Sequence, residues 1–421
     1  MSDNELQEHL NRRKLLRNLG IAAVSAGGAA IVLNKPVAAQ SSAGPYRNVK
    51  NYGAVGDGVT DDSASIQAAI DSLPGSGGAV LFPAGFYRVS NTIRVVRDNI
   101  SLIGEGIDAT TLLADTSLPI VVRVGVAATT ERGIYCSIER MTIDRQAGTI
   151  PIGATGILWD NFNYGSERLT RVNRHYYGRK ITGDAIGYSL YDSHSSNMTR
   201  AHMNIEHAAG IKVFGCVFGK NGGEAFDCAG IIEITGTAND LTFVGCTFIP
   251  IGPATLTGNG NKPVVVMING MTNPTGVYCF IDCITEVTSV GFTSDASTPV
   301  INMLHIIGGR WVLDTAMFNF HPSTKITAMK LNGIDITSLN TTNTVILVNS
   351  HWLTISGCSI FGNSAFHGGE EADMTITGNR FEGSVLLNGA FRALMFTGNV
   401  HQGLTNTTSG SRFVTNNLQA V

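Results

Sequence analysis

Short segments in which apolar and polar residues alternate recur along the chain from about residue 100 onward. Residues 241–245 (LTFVG) and 374–378 (MTITG) are typical, because each ends on a glycine. Period-two alternation buries one face of a strand, and glycine tolerates the left-handed turn that follows. The pattern therefore predicts many short strands that are separated by tight turns.

The turn residues return at a regular interval. The predicted turns are Gly215, Gly245, Asp282, Gly308, Gly333, Gly357, Gly378 and Gly398. Their spacing narrows from the thirties to about twenty residues toward the end of the chain. Repeats of this length are typical of a solenoid, in which each coil buries its inner face only against its neighbours. Coils with longer spacings have room for the loops from which binding surfaces are built.

Residues 48–106 contain a more specific set of motifs. They include NYGAVGDGVTDD at 51–62, GGAVLFPAGFY at 77–87 and LIGEG at 102–106. Together these motifs resemble the N-terminal signature of the pectate-lyase-like β-helix superfamily, with its rhamnogalacturonase- and epimerase-like enzymes and phage tailspike depolymerases. The resemblance implies an all-β fold, a single-stranded right-handed parallel β-helix. We expect one domain over residues 40–421, with 48–106 as the N-terminal cap and first coils.

The same block predicts a capping α-helix that begins near residue 63. Thr60 is the expected N-cap, and Asp61 and Asp62 are expected in the first turn, where carboxylates favour the helix dipole. The apolar stripe of the helix comprises Ile66, Ala69, Ile70 and Leu73. Such a helix can cover the open end of a solenoid, so we interpret these aspartates as structural.

The first 39 residues resemble a twin-arginine translocation signal. Arg12 and Arg13 precede two leucines, residues 19–33 are weakly apolar, and residues 37–39 (VAA) are small. We predict removal of residues 1–39 and export of the folded protein to the periplasm or the extracellular space. No later segment is long and apolar enough to span a membrane, so the mature protein should contain no membrane span.

Charge and cysteine content narrow the function further. The formal net charge of −3 gives no electrostatic reason to expect a nucleic-acid partner. Seven cysteines cannot all pair within one chain. Cys216, Cys246 and Cys358 each follow a turn glycine, which favours small buried hydrophobic side chains over ligands. No cysteine or histidine spacing resembles a metal site, so we predict none.

A basic and aromatic strip spans residues 159–200. It holds half of the ten tyrosines together with several arginines, among them Arg200. Aromatic rings can stack on sugars and arginines bind carboxylates in pairs, so the strip favours an acidic glycan. The predicted substrate-binding residues are Trp159, Arg174, Tyr176, Tyr177, Lys180 and Tyr188. The alternative is a solvated strand face with ordinary tyrosines between coils.

Glycoside hydrolysis needs two carboxylates, whereas β-elimination on a uronate needs a base and cations that stabilise the enolate. The candidate catalytic residues are Asp192, His194, Glu224, Asp227 and Glu233. On an extended strand Asp192 and His194 would share one side, and the carboxylates could meet across adjacent coils. Each residue could instead form an ordinary surface hydrogen bond.

The sequence thus predicts a secreted enzyme that degrades an extracellular polysaccharide, as a glycoside hydrolase or a polysaccharide lyase. One alternative is a non-catalytic glycan-binding surface protein or adhesin. A second is a uronate epimerase, although the run Tyr-Gly-Phe-Asp-Pro-His expected there is absent. The resemblance requires no cofactor but leaves calcium open, because some lyases of the superfamily use it. A monomer and a homotrimer are both compatible with the sequence, since tailspike relatives often form homotrimers.

Overall fold

The computed structural model describes most of the chain after residue 44. The described residues are 45–125, 133–219, 228–249, 264–270, 275–339, 344–348, 350–369 and 371–419. Arg12, Arg13, Glu224 and Asp227 lie outside them, so their predicted roles stay predictions. The expected cleavage after residue 39 also stays a prediction.

The described residues form a parallel β-helix. Each strand pairs in parallel with the strands one coil before and one coil after it, so Val213 lies beside Phe243 and Phe243 beside Phe280. The strands stack into three sheets, numbered 1, 2 and 3 in the order in which one complete coil passes through them. One apolar core runs inside the coils from Val49 to Phe396. The predicted fold class is therefore confirmed.

The strands fall into groups by sheet. Sheet 1 contains Ile93–Val95, Ile120–Gly125, Thr155–Asp160, Tyr177–Thr182, Val264–Asn269, Thr344–Val348 and Asn363–His367. Sheet 2 contains Tyr46–Asn48, Gly78–Phe82, Ile100–Gly104, Ser189–Tyr191, Thr275–Ile281, Val300–Ile307, Lys325–Asn332, Ser350–Ser356 and Asp373–Thr377. Sheet 3 contains Asp57–Asp61, Gly85–Val89, Thr110–Ala114, His194–Ser196, Val217–Gly219, Thr247–Ile249, Asp335–Ser338, Ser359–Phe361, Arg380–Phe381, Val400–His401 and Leu418–Gln419.

Other strands continue around a corner from one sheet to the next. Those shared by two sheets are Ser137–Arg145, Ser166–Asn173, Ala201–Phe214, Gly230–Val244, Ile284–Ser294, Arg310–Asn319, Ser384–Thr397 and Gly403–Thr415. Gly133–Ile134, Phe162–Asn163 and Ala185–Ile186 form a short ladder at the corner between sheets 1 and 2. A 3-10 helix, Val49–Tyr52, and an α-helix, Ser63–Asp71, lie at the N-terminal end.

Sheet 2 ends in a left-handed turn residue in coil after coil. Gly215 and Gly245 both have φ = 60°, and the non-glycine Asp282 adopts the same region at 50°. All eight turn residues predicted from the sequence have positive φ, so the predicted spacing is confirmed. Asp192 occupies the same position one coil before Gly215, with φ = 46°.

In most coils the residue after the turn points into the core. Cys216, Cys246, Cys283 and Cys358 occupy this position, are buried and are unpaired thiols. In the last coils asparagines occupy this position, and Asn379 Nδ2 donates a hydrogen bond to Asn399 Oδ1 at 3.0 Å. The predicted structural role of the cysteines agrees with this burial. A ladder of this kind satisfies backbone groups that each turn leaves unpaired.

The predicted N-terminal helix is present but begins later than Thr60 suggested. Asp62 is its N-cap, and its carboxylate accepts hydrogen bonds from the backbone of Val55 at 2.6 Å and Gly56 at 2.9 Å. Thr60 instead lies in the strand Asp57–Asp61. The apolar side of the helix packs into the core through Ile66, Ala69 and Ile70, and Leu73, two residues past its end, packs there too. Its role as a cap of the solenoid stays a prediction.

Among the described residues, the structure contains no helix long and apolar enough to cross a membrane.

A buried ion pair interrupts the apolar core behind sheet 1. Glu167 and Arg179 have fully buried side chains, and Arg179 Nε donates to Glu167 Oε2 at 2.8 Å. Burial alone would lower the pKa of Arg179, but the charge and hydrogen bond of Glu167, together with Tyr188, raise that pKa overall. Thr170 bonds to both partners, at 2.9 Å to the Glu167 carboxylate and 2.8 Å to the Arg179 guanidinium. The pair is therefore compensated by several short hydrogen bonds, as a buried pair must be.

Trp159 and Tyr188 belong to this network, which corrects their predicted role in substrate binding. Trp159 Nε1 donates to Glu167 at 2.8 Å, and the Tyr188 hydroxyl donates to the same carboxylate at 2.7 Å. Both rings have no exposed surface, so a sugar cannot reach them. Their polar atoms explain the placement, because a buried indole N–H and a buried phenol each need a hydrogen-bond partner.

We expect Arg179→Met to lower the free energy of unfolding by about 3–5 kcal/mol, because it leaves Glu167 buried and unpaired. Arg392→Met is the matched control, since Arg392 pairs with Asp373 on the surface and exposed pairs contribute about 0–1 kcal/mol. Chemical denaturation followed by circular dichroism measures both. Equal effects of the two substitutions would contradict a stabilising role for the buried pair.

Two further ionisable groups lie inside the same coils. His175 has no exposed surface and His202 is 4% exposed. Burial lowers the pKa of His202 to about 3 and the pKa of His175 well below its ordinary value. Both imidazoles are therefore neutral in the folded protein at neutral pH.

The buried His202 makes stability depend on pH. Its folded-state pKa lies below the unfolded value, so the unfolded chain takes up a proton first as the pH falls. As the pH falls from 6.5 to about 3, we expect the free energy of unfolding to decrease through His202 by up to about 1.4 kcal/mol per pH unit. His202→Gln should weaken this dependence, whereas His351→Gln, which changes a histidine with a 39% exposed side chain, is the control. Parallel pH profiles for wild type and His202→Gln would refute the prediction.

Candidate functional site

The outward side chains of sheet 1 form a polar cluster over three successive coils. We call it the sheet 1 polar cluster, and it comprises Tyr176, Tyr177, Lys180, Arg200, Asn204, Glu206 and Glu233. The register explains the grouping, because Lys180 pairs with Asn204 and Asn204 with Glu233 on adjacent strands. Three of the predicted residues for substrate binding, Tyr176, Tyr177 and Lys180, thus lie together with one predicted catalytic residue.

Glu233 holds Arg200 at one end of the cluster. Arg200 Nε donates to Glu233 Oε1 at 3.1 Å, and Asn204 Nδ2 donates to Glu233 Oε2 at 3.1 Å. The Glu233 side chain is 4% exposed, whereas that of Arg200 is 33% exposed. The carboxylate therefore lies beneath the guanidinium, and the arginine presents its remaining surface to solvent. This geometry makes Glu233 a positioning residue for Arg200.

Tyr177 lies between the two cations of the cluster. Its ring is 5.8 Å from Lys180 Nζ and makes an edge-to-face contact with Tyr176 at 4.9 Å. Burial, and after it the negative charge of Glu233, raises the pKa of Tyr177 to about 12. The phenol is therefore protonated at neutral pH, and its hydroxyl can donate a hydrogen bond.

Lys180 pairs with Glu206 at the other end of the cluster. Lys180 Nζ lies 2.9 Å from Glu206 Oε2, and both side chains keep about a third of their surface exposed. Burial would raise the pKa of Glu206, but its hydrogen bond with Lys180 and the charge of Lys180 lower it overall. A carboxylate with a lowered pKa is poorly suited to act as the protonated acid of a glycoside hydrolase.

Asp192 and His194 do not join this cluster, and the structure corrects the geometry predicted for them. Asp192 is a left-handed turn residue at the end of sheet 2, whereas His194 begins a strand of sheet 3. They therefore do not lie on one side of an extended strand. Burial, and after it the charge of Arg171, lowers the pKa of His194. His194 pairs with Arg171 and Val217 in sheet 3, whereas Glu233 pairs with Asn204 in sheet 1, so the structure places them on different sheets.

Arg174 is likewise placed elsewhere. Its guanidinium forms two hydrogen bonds to Asp144, both at 2.9 Å, beside the sheet 3 end of the strand Ser137–Arg145. Because the residues between 159 and 200 extend over more than one coil, neighbours in sequence point from different sheets. The predicted basic strip is thus divided between the core and several outer faces.

Arg200, Asn204 and Glu206 complete the cluster but were not among the predicted site residues. Arg200 appeared only as a member of the basic strip, and Asn204 carried no signal of its own. The alternation in Tyr177–Thr182 and Ala201–Phe214 identifies the outward positions. Only the pairing register, however, brings Asn204 beside Lys180.

Within the part of the chain that the structure describes, no group of three or more histidine, cysteine or acidic side chains comes together as a metal site. The possible use of calcium stays a prediction.

Comparison with known proteins agrees with this architecture. Residues 46–249 match the family described as rhamnogalacturonase A/epimerase, pectate lyase-like. Among curated proteins of Azotobacter vinelandii, mannuronan C5-epimerase AlgE1 is 43% identical over 72 residues, and alginate lyase 7 is 42% identical over 72 residues. Each alignment covers 15% of this chain, but only 5% of the epimerase and 8% of the lyase.

Solved structures extend the likeness to most of the chain. The A-module of mannuronan C-5 epimerase AlgE6 from Azotobacter vinelandii aligns with a TM-score of 0.57 at 17% identity, covering 89% of this chain and 99% of the module. The Streptococcus pneumoniae surface adhesin PfbA aligns with a TM-score of 0.55 at 13% identity, covering 88% and 93%. Identities this low show the fold alone. The chain is thus a parallel β-helix protein whose residues 46–249 are similar to the pectate-lyase-like family.

Proposed function

We propose that this protein modifies an acidic, uronate-containing polysaccharide at the sheet 1 polar cluster. The observation that carries the proposal is the placement of Lys180 and Arg200 around the protonated phenol of Tyr177. Each cation already has one carboxylate partner and keeps about a third of its surface exposed. Paired cations of this kind bind a sugar carboxylate and stabilise the enolate that forms when the neighbouring carbon loses its proton.

The cluster favours proton abstraction over hydrolysis. Hydrolysis needs a carboxylic acid that is protonated at working pH, but the pKa of Glu206 is lowered and Glu233 is held beneath Arg200. The names of the curated relatives, mannuronan C5-epimerases and an alginate lyase, favour the same chemistry. We therefore give the epimerase alternative more weight than the sequence alone did, and the hydrolase less.

Epimerisation and β-elimination share their first step. A base removes the proton at C5 of the uronate, and the electron pair passes into the carboxylate, which Lys180 and Arg200 neutralise. In β-elimination the C4–O4 bond then breaks, a C4=C5 double bond forms, and Tyr177 donates a proton to the departing oxygen. In epimerisation the C4–O4 bond stays intact, and C5 instead regains a proton on its opposite face, donated by Tyr177, which later recovers a proton from solvent. Glu224 and Asp227, just before the strand that carries Glu233, stay the predicted candidates for the base.

The first test is solvent exchange at C5. We expect the purified chain either to incorporate deuterium at C5 of alginate or polygalacturonate in heavy water, as followed by nuclear magnetic resonance, or to lose the C5 proton with formation of unsaturated uronate. Ultraviolet absorbance from unsaturated uronate identifies a lyase, and exchange without cleavage identifies an epimerase. Arg200→Ala and Lys180→Ala should each lower the rate of C5 exchange, or of unsaturated uronate formation, at least about a hundredfold, because each removes stabilisation of the enolate.

Arg380→Ala and Lys330→Ala are the matched controls, since both replace exposed cations on distant coils. New reducing ends without exchange or ultraviolet absorbance would replace the proposal by a hydrolase. Glycan binding with none of these three signals would favour the adhesin alternative.

We also propose that the chain is exported through the twin-arginine pathway to the periplasm or the extracellular space. The support is the sequence Arg12-Arg13-Lys14 before a weakly apolar segment. We expect replacement of both Arg12 and Arg13 by lysine to retain the unprocessed chain in the cytoplasm, as measured by immunoblotting of cell fractions. Arg17→Lys is the control, and unchanged export of the double variant would exclude this pathway.

A further inference from the structure

A depression of about 240 Å³ lies at the corner where the chain turns from sheet 1 to sheet 2. Its principal lining residues are Asp184, Ile186, His207, Ala209, Thr237 and Asn239. Ile186, Ala209 and Asn239 are in register on three successive coils, so the small side chain of Ala209 forms the floor between two larger ones. The depression thus arises because one of these three stacked, outward-facing residues, Ala209, is small.

Polar groups surround this floor. Asp184 and His207 are exposed residues in the left-handed conformation, with φ of 61° and 51°. The His207 ring accepts a hydrogen bond at Nδ1 from the backbone of Thr237 at 3.4 Å, which fixes one edge of the imidazole. The side chains of Asp184 and Asn239 have no hydrogen bond or ion pair with another described residue. A carboxylate and an amide are therefore available to a ligand, as acceptor and as donor.

Two exposed aromatic rings lie along the same corner. Tyr135 and Tyr164 are stacked with ring centroids 5.1 Å apart and 14° between their planes, and they are 61% and 53% exposed. The next two coils carry Gly187 and Gly210 at the corresponding position. A Cβ atom at Gly187 would lie 2.8 Å from the Tyr164 ring, so glycine keeps this ring in place. Apolar ring surface and free polar groups therefore adjoin each other.

We propose that this depression is a glycan subsite that binds one pyranose unit next to the unit that reacts at the sheet 1 polar cluster. A pyranose has hydroxyl groups, which Asp184 and Asn239 can bind, and an apolar C–H face, which a tyrosine ring can cover. The two sites are continuous along the chain, because Glu206 of the cluster directly precedes His207. The inference rests on the proposed function for the identity of the polysaccharide.

The test measures how affinity grows with chain length. Calorimetry with oligomannuronates from disaccharide to hexasaccharide should show an increase in affinity as the added unit reaches the subsite. Asn239→Ala, which removes the amide, and Ala209→Leu, which fills the floor, should each lower hexasaccharide affinity about tenfold. Asn332→Ala and Ala328→Leu are the matched controls, because they change the same residue types at outward positions of sheet 2. Thermal unfolding verifies that every variant is folded.

The outcomes separate this inference from the proposed function. Folded subsite variants that bind the hexasaccharide like wild type overturn the subsite, whatever the C5 exchange assay gives. A wild type that binds with the expected length dependence but gives neither deuterium at C5 nor unsaturated uronate overturns the proposed reaction and leaves the subsite standing. Loss of affinity in Ala328→Leu as well would also overturn the subsite, because the effect would then not be specific to this corner.

Discussion

The parallel register between successive coils is the constraint on which the whole structure depends. Because strands stack directly above one another, each side chain is surrounded by its counterparts in the coils on either side. An inward column such as Val213, Phe243 and Phe280 is therefore apolar throughout, and Phe243 and Phe280 stack at 5.0 Å. A polar or charged residue in such an inward column must find hydrogen-bond or ion-pair partners in its own coil or in the neighbouring coils.

Glu167 is the clearest exception. It lies in register between Ile138 and Leu190, where the other coils have apolar residues. Arg179 and the hydrogen-bonding groups of Trp159 and Tyr188 compensate it. Lys180, which follows Arg179 in the strand Tyr177–Thr182, points outward into the sheet 1 polar cluster. This strand therefore holds the buried Arg179 on its inner side and Lys180, the proposed substrate-binding cation, on its outer side. We infer that the buried pair helps to fix the position of that cation.

The same register builds the outer surfaces. On sheet 1 it brings Lys180, Asn204 and Glu233 from three coils side by side, although they are separated by more than twenty residues in sequence. At the neighbouring corner it aligns Ile186, Ala209 and Asn239 in the same manner. Both proposed sites are thus columns of outward residues, in which the sequence of each coil supplies one member.

The sequence by itself determined the repeat, the turn positions and the burial of the cysteines, because these depend on local alternation and on residues that tolerate positive φ. It also identified Tyr176, Tyr177, Lys180 and Glu233, whose chemical types are conspicuous. Only the tertiary structure decided which side of the coil each residue faces. Trp159 and Tyr188 point inward because a buried carboxylate binds their polar atoms. Asp192 occupies a left-handed turn position at which most other coils have glycine, so the sequence did not mark it as a turn. Asn204 joins the cluster through register alone, since pairing between distant coils leaves no trace in the local sequence.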